Sequence, residues 1–178
     1  NNVSAETIDE NKFEVSTSLT ELQTHNQIHK KGTDNQLLGV SSTTMKFIKK
    51  IALPAYESGL DNGLYPSVTI AQAVLESGNG ASSLSLAPYN NLFGVKGFYN
   101  GKSVKMRTFE DDGTGHQFQI FANFKAYPSW HESIRDHDAL LRNQMNGFYS
   151  GAWRENAKTP EDATQFLQGR YATDTRYT

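Results

Sequence analysis

The sequence predicts a mainly helical α+β domain, a helical lobe carrying one inserted β-hairpin. Three observations predict it. Apolar residues recur at helical spacing on both sides of residue 60. Between Lys96 and Tyr127 the period changes to alternation around an Asp-Gly reversal. Helix-start signals then return twice, at Ser129 and at Thr159.

Residues 1–40 are rich in Asn, Thr, Ser, Gln and His, with only Phe13, Leu19 and Leu22 offering a weak amphipathic turn. They are expected to form a polar arm or linker, with one domain over residues 41–178. From Ser41 the texture changes. Hydroxyls at Ser42 to Thr44 can cap a helix whose apolar positions are Met45, Phe47, Ile48, Ile51 and Ala52, with Lys46, Lys49 and Lys50 opposite. Gly59 and Asp61-Asn62-Gly63 are expected to stop it. Pro66-Ser67 opens a second helix through Ser77, apolar around most of its circumference and so expected to be buried, and Gly78 and Gly80 end it. Residues 103–109 and 117–121 read as the two strands. Ser129 with Glu132 makes a capping-box pattern ahead of Ile134, His137, Leu140 and Leu141. Thr159-Pro160-Glu161-Asp162 repeats the sequence of cap, first-turn proline and acid.

Composition narrows the function. A chain of 178 residues supports one domain with a real core. The hydrophobic fraction of 37% is low, largely because of the first forty residues. A net charge of −2 argues against a nucleic-acid partner, since no excess of cations would neutralise a row of phosphates. The absence of cysteine removes disulfides, thiol catalysis and Cys-ligated metals. No apolar run approaches a membrane span, and Asn1-Asn2-Val3 lacks the basic start of a leader, so the chain reads as cytosolic or as a mature or trimmed fragment. His25 and His29 lie in the polar arm, and His131 and His137 point to different sides of one helix, so neither pair is expected to bind metal. No Gly-x-Ser-x-Gly elbow occurs.

Glu76 is the residue that could carry chemistry. A carboxyl group at the end of an apolar helix is costly to bury ionised, so its pKa should rise. A carboxylic acid that keeps its proton near neutral pH is what protonation of a glycosidic oxygen requires. The glycines that follow would let a polymer approach closely. On position alone, a helix-terminal Glu reaching solvent is the commoner outcome.

The residues around it shift that balance. Pro66-Ser67 through Glu76-Ser77-Gly78, then Asn90-Asn91-Leu92-Phe93-Gly94-Val95-Lys96-Gly97, then Tyr127-Pro128-Ser129-Trp130-His131-Glu132-Ser133-Ile134 with Asp136-His137, and finally Tyr171-Ala172-Thr173-Asp174 with Tyr177, form an ordered set. The set resembles the bacterial endo-β-N-acetylglucosaminidases that cut peptidoglycan, glycoside hydrolase family 73, over roughly Ser41 to Thr178. The resemblance implies a lysozyme-like fold, a helical lobe and a small β-hairpin lobe flanking a substrate groove. It implies Glu76 as the catalytic acid and Glu110, at the end of the first strand, as the second carboxylate. Read from the residues alone, Glu110 sits beside Asp111 and Asp112 in a turn, where acids are often merely solvated, and either Asp is a substitute. Tyr171 matches the family's active-site tyrosine; alternatively it is a core aromatic. Asn91 suits an N-acetyl group, and equally suits a turn. Phe93 and Tyr149 either line sugar subsites or pack. Asn79 departs from the pattern, standing where relatives carry a bulky aromatic, and the chain stops at Thr178 before the closing helix many relatives have.

The resemblance therefore implies hydrolysis of the β-1,4 bond after N-acetylglucosamine in peptidoglycan glycan strands by a secreted, wall-associated bacterial autolysin. The enzyme would be monomeric, would need no metal or cofactor and would insert in no membrane. The water would be activated by Glu110, or the substrate's own acetamido group would attack, with Glu110 or Tyr171 orienting it. Substrate assistance is the favoured route. The rival readings are a lytic transglycosylase or muramidase on the same fold, and a glycan-binding or phage-structural module without catalysis.

Overall fold

The computed structural model describes residues 40–171 apart from Gly113 and Gly169, without the side chains of Asp111 and Met145. The expected arm, apart from Val40, and the Ala172-Thr173-Asp174 motif lie outside the described residues. Among the described residues, four α-helices and one antiparallel hairpin occur in chain order: α1 (Ser42–Asn62), α2 (Pro66–Ser77), β1 (Ser103–Asp111), β2 (Gln117–Lys125), α3 (Trp130–Asn143) and α4 (Pro160–Leu167). The mainly helical class with one small hairpin is as expected.

The cap of helix α1 is Ser41, one residue ahead of the hydroxyls expected at Ser42 to Thr44. The Ser41 side chain accepts from the Thr44 N–H at 3.1 Å, and Gly63 closes the helix in the left-handed conformation at φ 64°. Gly59 does not stop the helix. It is buried where α1 meets the start of α2, and a Cβ there would lie 2.9 Å from Pro66 Cγ, so its smallness serves the approach of two helices.

Helix α2 runs from Pro66 at its first position to a left-handed Gly78, φ 56°. Its first turn is buried on every side, from Ser67 to Ile70, as expected, but its last turn is buried on one side only. Val68, Ile70 and Ala73 enter the core, whereas Leu75 is 61% exposed and Glu76 is also exposed. Leu75 and Glu76 thus emerge from the packing while Ser77 in the same turn stays buried.

The core lies between α1, α2 and α3, with Phe47, Ile48, Ile51, Ile70, Leu92, Phe93, Ile134 and Leu141 at its centre. Each such side chain contributes about 1.5–3 kcal/mol by leaving water. Helix α4 packs through the short 3₁₀ turn at Ser150–Ala152, where Gly151 is obligatory: a Cβ would stand 2.2 Å from the Phe166 ring. At α3 the capping differs from the expected box. Ser129 Oγ accepts from the His131 N–H at 3.2 Å and also meets the Glu132 carboxylate, which holds that carboxyl below its ordinary range. At α4, Thr159 Oγ1 accepts from the Asp162 N–H at 3.1 Å, as its sequence implies.

The hairpin is longer than its sequence pattern. Nine residues of β1 pair in register with nine of β2, from Ser103↔Lys125 to Asp111↔Gln117. Val104, Met106, Thr108, Glu110, Ile120, Ala122 and Phe124 share one partly covered face, together with the more exposed Phe118. Lys105, Arg107, Phe109 and Phe121 lie on the other, and Phe109 and Phe121 are well exposed.

Candidate active site

Glu76 stands in the last turn of α2, with its neighbours built to leave it accessible. Ser77 is buried and ties the turn down: its Oγ donates to Ala73 O at 2.5 Å and accepts from the Gly80 N–H at 2.7 Å. Gly80 packs so tightly that a Cβ would lie 2.7 Å from Phe47 and 2.8 Å from Trp130. Gly78 is the opposite case, since a Cβ there would meet nothing within 4 Å. The Glu-Ser-Gly turn thus has an anchored side and an open side, and the carboxyl group belongs to the open one.

Its electrostatics combine exposure with desolvation. Glu76 is reached by solvent, yet enough protein surrounds the carboxyl group that lost hydration pushes its pKa above the ordinary glutamate value; His137 opposes this. The apolar enclosure expected to raise the Glu76 pKa is therefore partial: the residue is exposed, and loss of hydration still moves its pKa upward.

Glu110 lies on the partly covered face of the hairpin, paired with the Lys96 ammonium; their side chains are 19% and 15% exposed. Lys96 bridges Phe124, and Glu110 pairs with Phe118, six positions away along β2. A flat strand separates those positions by about 20 Å, well beyond the combined reach of a lysine and a glutamate. The ion pair therefore closes only because the ribbon bends over this face. Asp112 has a different occupation. Its Oδ1 accepts from the N–H and the hydroxyl of Thr114 at 2.9 and 2.5 Å, which lowers its pKa and turns the chain.

The other expected site residues are interior. Asn91 is 1% exposed and its amide is fully used. Nδ2 donates to the carbonyls of Val95 and Lys125 at 3.0 and 2.9 Å, while Oδ1 accepts from the N–H groups of Phe93 and Val95 at 3.3 and 3.1 Å. It shapes the 91–97 loop and fastens it to β2, alongside Lys125 N–H to Val95 O and Gly97 N–H to Asn123 O. Phe93 and Tyr149 are fully buried, and Tyr171 is nearly so. Phe93 stacks on His137 with centroids 3.8 Å apart, and Tyr171 lies 5.8 Å from the same ring. The structure thus gathers Phe93, Tyr171 and His137 into one cluster linked electrostatically to Glu76, and leaves Glu110 with Lys96 on the hairpin.

Two participants were not read from the sequence, Lys96 and Asp138. The second left a signal. Ile134, His137, Asp138 and Leu141 all face the core of α3, and a His and an Asp on such an i, i+3, i+4, i+7 stripe announce a buried polar network. Among the described residues no group of three or more His, Asp or Glu is placed to hold a metal, and no helix is long and apolar enough to cross a membrane. A hollow of about 290 Å³ between α1 and α3, lined by Glu57, Asp61, His131 and Arg135 among others, includes none of the expected site residues.

A helical lobe with an accessible, proton-retaining glutamate at a helix end, joined to a bent hairpin carrying a second carboxylate, defines a lysozyme-type glycosidase architecture. The glucosaminidase family model, described as mannosyl-glycoprotein endo-beta-N-acetylglucosaminidase, matches residues 52–178, and the chain belongs to that family. It is 44% identical over 140 residues to an N-acetylmuramoyl-L-alanine amidase domain-containing protein of Staphylococcus aureus, covering 77% of this chain and 22% of that protein. It is 43% identical over 159 residues to a probable N-acetylmuramidase of Lactococcus lactis subsp. cremoris, covering 88% of this chain and 36% of that one. The chain thus spans about a fifth to a third of these curated relatives. The crystal structure of the catalytic domain of the Listeria monocytogenes autolysin Auto superposes with a TM-score of 0.69 at 46% identity, covering 89% of this chain and 88% of that one.

Proposed function

We propose that this domain hydrolyses the β-1,4 bond after N-acetylglucosamine in peptidoglycan glycan strands, as the catalytic part of a secreted, wall-associated autolysin. The observation that carries the reading is Glu76: an accessible carboxyl group, biased towards its protonated form, beside a glycine whose missing side chain opens onto free space. The autolysin and N-acetylmuramidase names of the relatives direct it to cell-wall glycan.

In the proposed mechanism Glu76 gives its proton to the glycosidic oxygen as the bond from the anomeric carbon breaks. The acetamido oxygen of the N-acetylglucosamine that carries this anomeric carbon closes onto it from the opposite face, and the next sugar departs with the protonated oxygen as its hydroxyl. Water then opens that ring, losing a proton to the Glu76 carboxylate, so one water is consumed and the acid is restored. Substrate assistance is favoured over general-base catalysis by Glu110, because the Lys96 ammonium already occupies that carboxylate. Tyr171 is assigned to the same pocket through its place beside His137, where a phenol can stabilise positive charge at the sugar or orient the acetamido group.

Digestion of purified cell walls followed by mass spectrometry tests this. New reducing ends on N-acetylglucosamine are expected; reducing ends on muramic acid identify a muramidase, and anhydro-muramic products a lytic transglycosylase. Glu76→Gln should abolish product formation while Glu110→Gln leaves a measurable remnant. Equal, complete loss in both requires a water activated by Glu110 and refutes substrate assistance.

A further inference from the structure

His137 and Asp138 occupy two core-facing positions of α3, and neither side chain has any solvent exposure. Burying such a pair is costly, and an aliphatic pair of similar volume is often at least as stable. Ile134 and Leu141 fill the neighbouring places on the same stripe. The polarity therefore calls for a reason beyond packing.

The pair is closely held. His137 Nδ1 lies 2.9 Å from Asp138 Oδ1, and the same oxygen accepts from Thr69 Oγ1 at 2.8 Å. The Phe93 ring lies against the imidazole with an interplanar angle of 17°. Thr69 and Glu76 are seven residues apart on α2, two turns along one face. The Thr69 hydrogen bond thus anchors the pair to the helix face that ends in the carboxyl group. The ionisable groups that meet or act with the imidazole include Asp138 on its own helix, Tyr171 from the segment after α4 and, electrostatically, Glu76 from α2. The 91–97 loop brings the Phe93 ring.

We propose that His137, oriented by Asp138 and Thr69, is the positioning residue for the Glu76 acid, its imidazole stabilising the carboxylate that Glu76 becomes as its proton departs. The inference rests on Glu76 being the acid. Desolvation by itself makes a carboxyl group hold its proton but release it reluctantly. A fixed imidazole that favours the anion restores acid strength without letting water in. Both influences act on Glu76, burial upward and His137 downward. Because Asp138 and Phe93 immobilise the ring, the stabilisation is in place before the proton moves.

His137→Asn tests it in the full chain, since the Asn amide can still donate to Asp138 while the imidazole is lost. The expected result is a fall in kcat on the order of tenfold with KM little changed, and an alkaline limb of the pH–rate profile moved upward by at least about half a unit. A fall in kcat with the limb unmoved makes His137 a packing residue and overturns the proposal. Should His137→Asn fail to fold, Glu76→Gln supplies a second readout, because coupling between two groups is reciprocal. The ring ¹⁵N resonances of His137 should shift when the neighbouring carboxyl becomes an amide, and unmoved resonances overturn the proposal equally. Retained wall hydrolysis by Glu76→Gln is a distinct outcome: it removes the acid assignment, and this inference with it.

Discussion

Asn91→Ala separates the two roles open to that residue. As a groove residue it would contact sugar, and its loss would raise KM without altering stability. The structure gives it other work. Truncation removes all four hydrogen bonds of the amide. Val95 O keeps a second donor, the Lys125 N–H at 2.9 Å, so the groups orphaned are the Phe93 N–H, the Val95 N–H and Lys125 O. An unsatisfied buried backbone group costs about 1–3 kcal/mol, and water admitted to the vacated space holds each near the lower end. The three together come to about 3 kcal/mol, a large share of the roughly 5–15 kcal/mol that holds a domain folded. With a urea slope of about 2 kcal/mol/M, the midpoint should fall by about 1.5 M. Equilibrium unfolding followed by circular dichroism measures this, alongside KM on cell walls at low temperature where the variant remains folded. An unchanged midpoint with a raised KM would refute the reasoning and return Asn91 to the substrate.

Glu76 holds its proton to higher pH in the folded chain than in the unfolded one. Folding therefore takes up protons in that window, and stability is lost as pH rises from the ordinary carboxylate range through the raised value. Glu76→Gln should melt with the parent at pH below that range and above it at pH 7; a lower melting temperature at pH 7 contradicts the sign. Lys96→Met leaves Glu110 without its cation on a partly covered face and should cost about 1–2 kcal/mol by thermal denaturation, most of it recovered in the double variant with Glu110→Gln. No recovery would show that Lys96 matters through something other than this pair. Gly80→Ala pushes a methyl against Phe47 and Trp130 at a left-handed φ of 75° and should cost about 3 kcal/mol, with a changed near-ultraviolet signal from Trp130. Gly78→Ala, with empty space around the same atom, should cost only about 1 kcal/mol, and an equal loss at both glycines would contradict the packing.

The sequence by itself determined the elements and their order, because the signals involved are local. Thr159 and the Gly63 and Gly78 stops act within a turn of their own helix, and alternation over a few residues is enough to declare a strand. It also placed Glu76 at a helix end followed by glycines, and the ordered motifs pointed to the family. Tertiary structure decided which polar groups are consumed and which are left for chemistry. Asn91 reads the same whether it faces a sugar or four backbone groups, and only the approach of β2 to the 91–97 loop assigns its amide inward. Glu110 reads as a solvated turn acid until the bend of the hairpin brings Lys96 to it. Whether Glu76 is enclosed or reaches solvent was open in the sequence, because burial depends on how many neighbours a helix has, and in the last turn of α2 Leu75 and Glu76 run past them. For Asn91, Glu110 and Glu76, hydrogen-bond satisfaction and desolvation depend on atoms brought together from distant parts of the chain, so the residues beside them in the sequence do not encode the outcome.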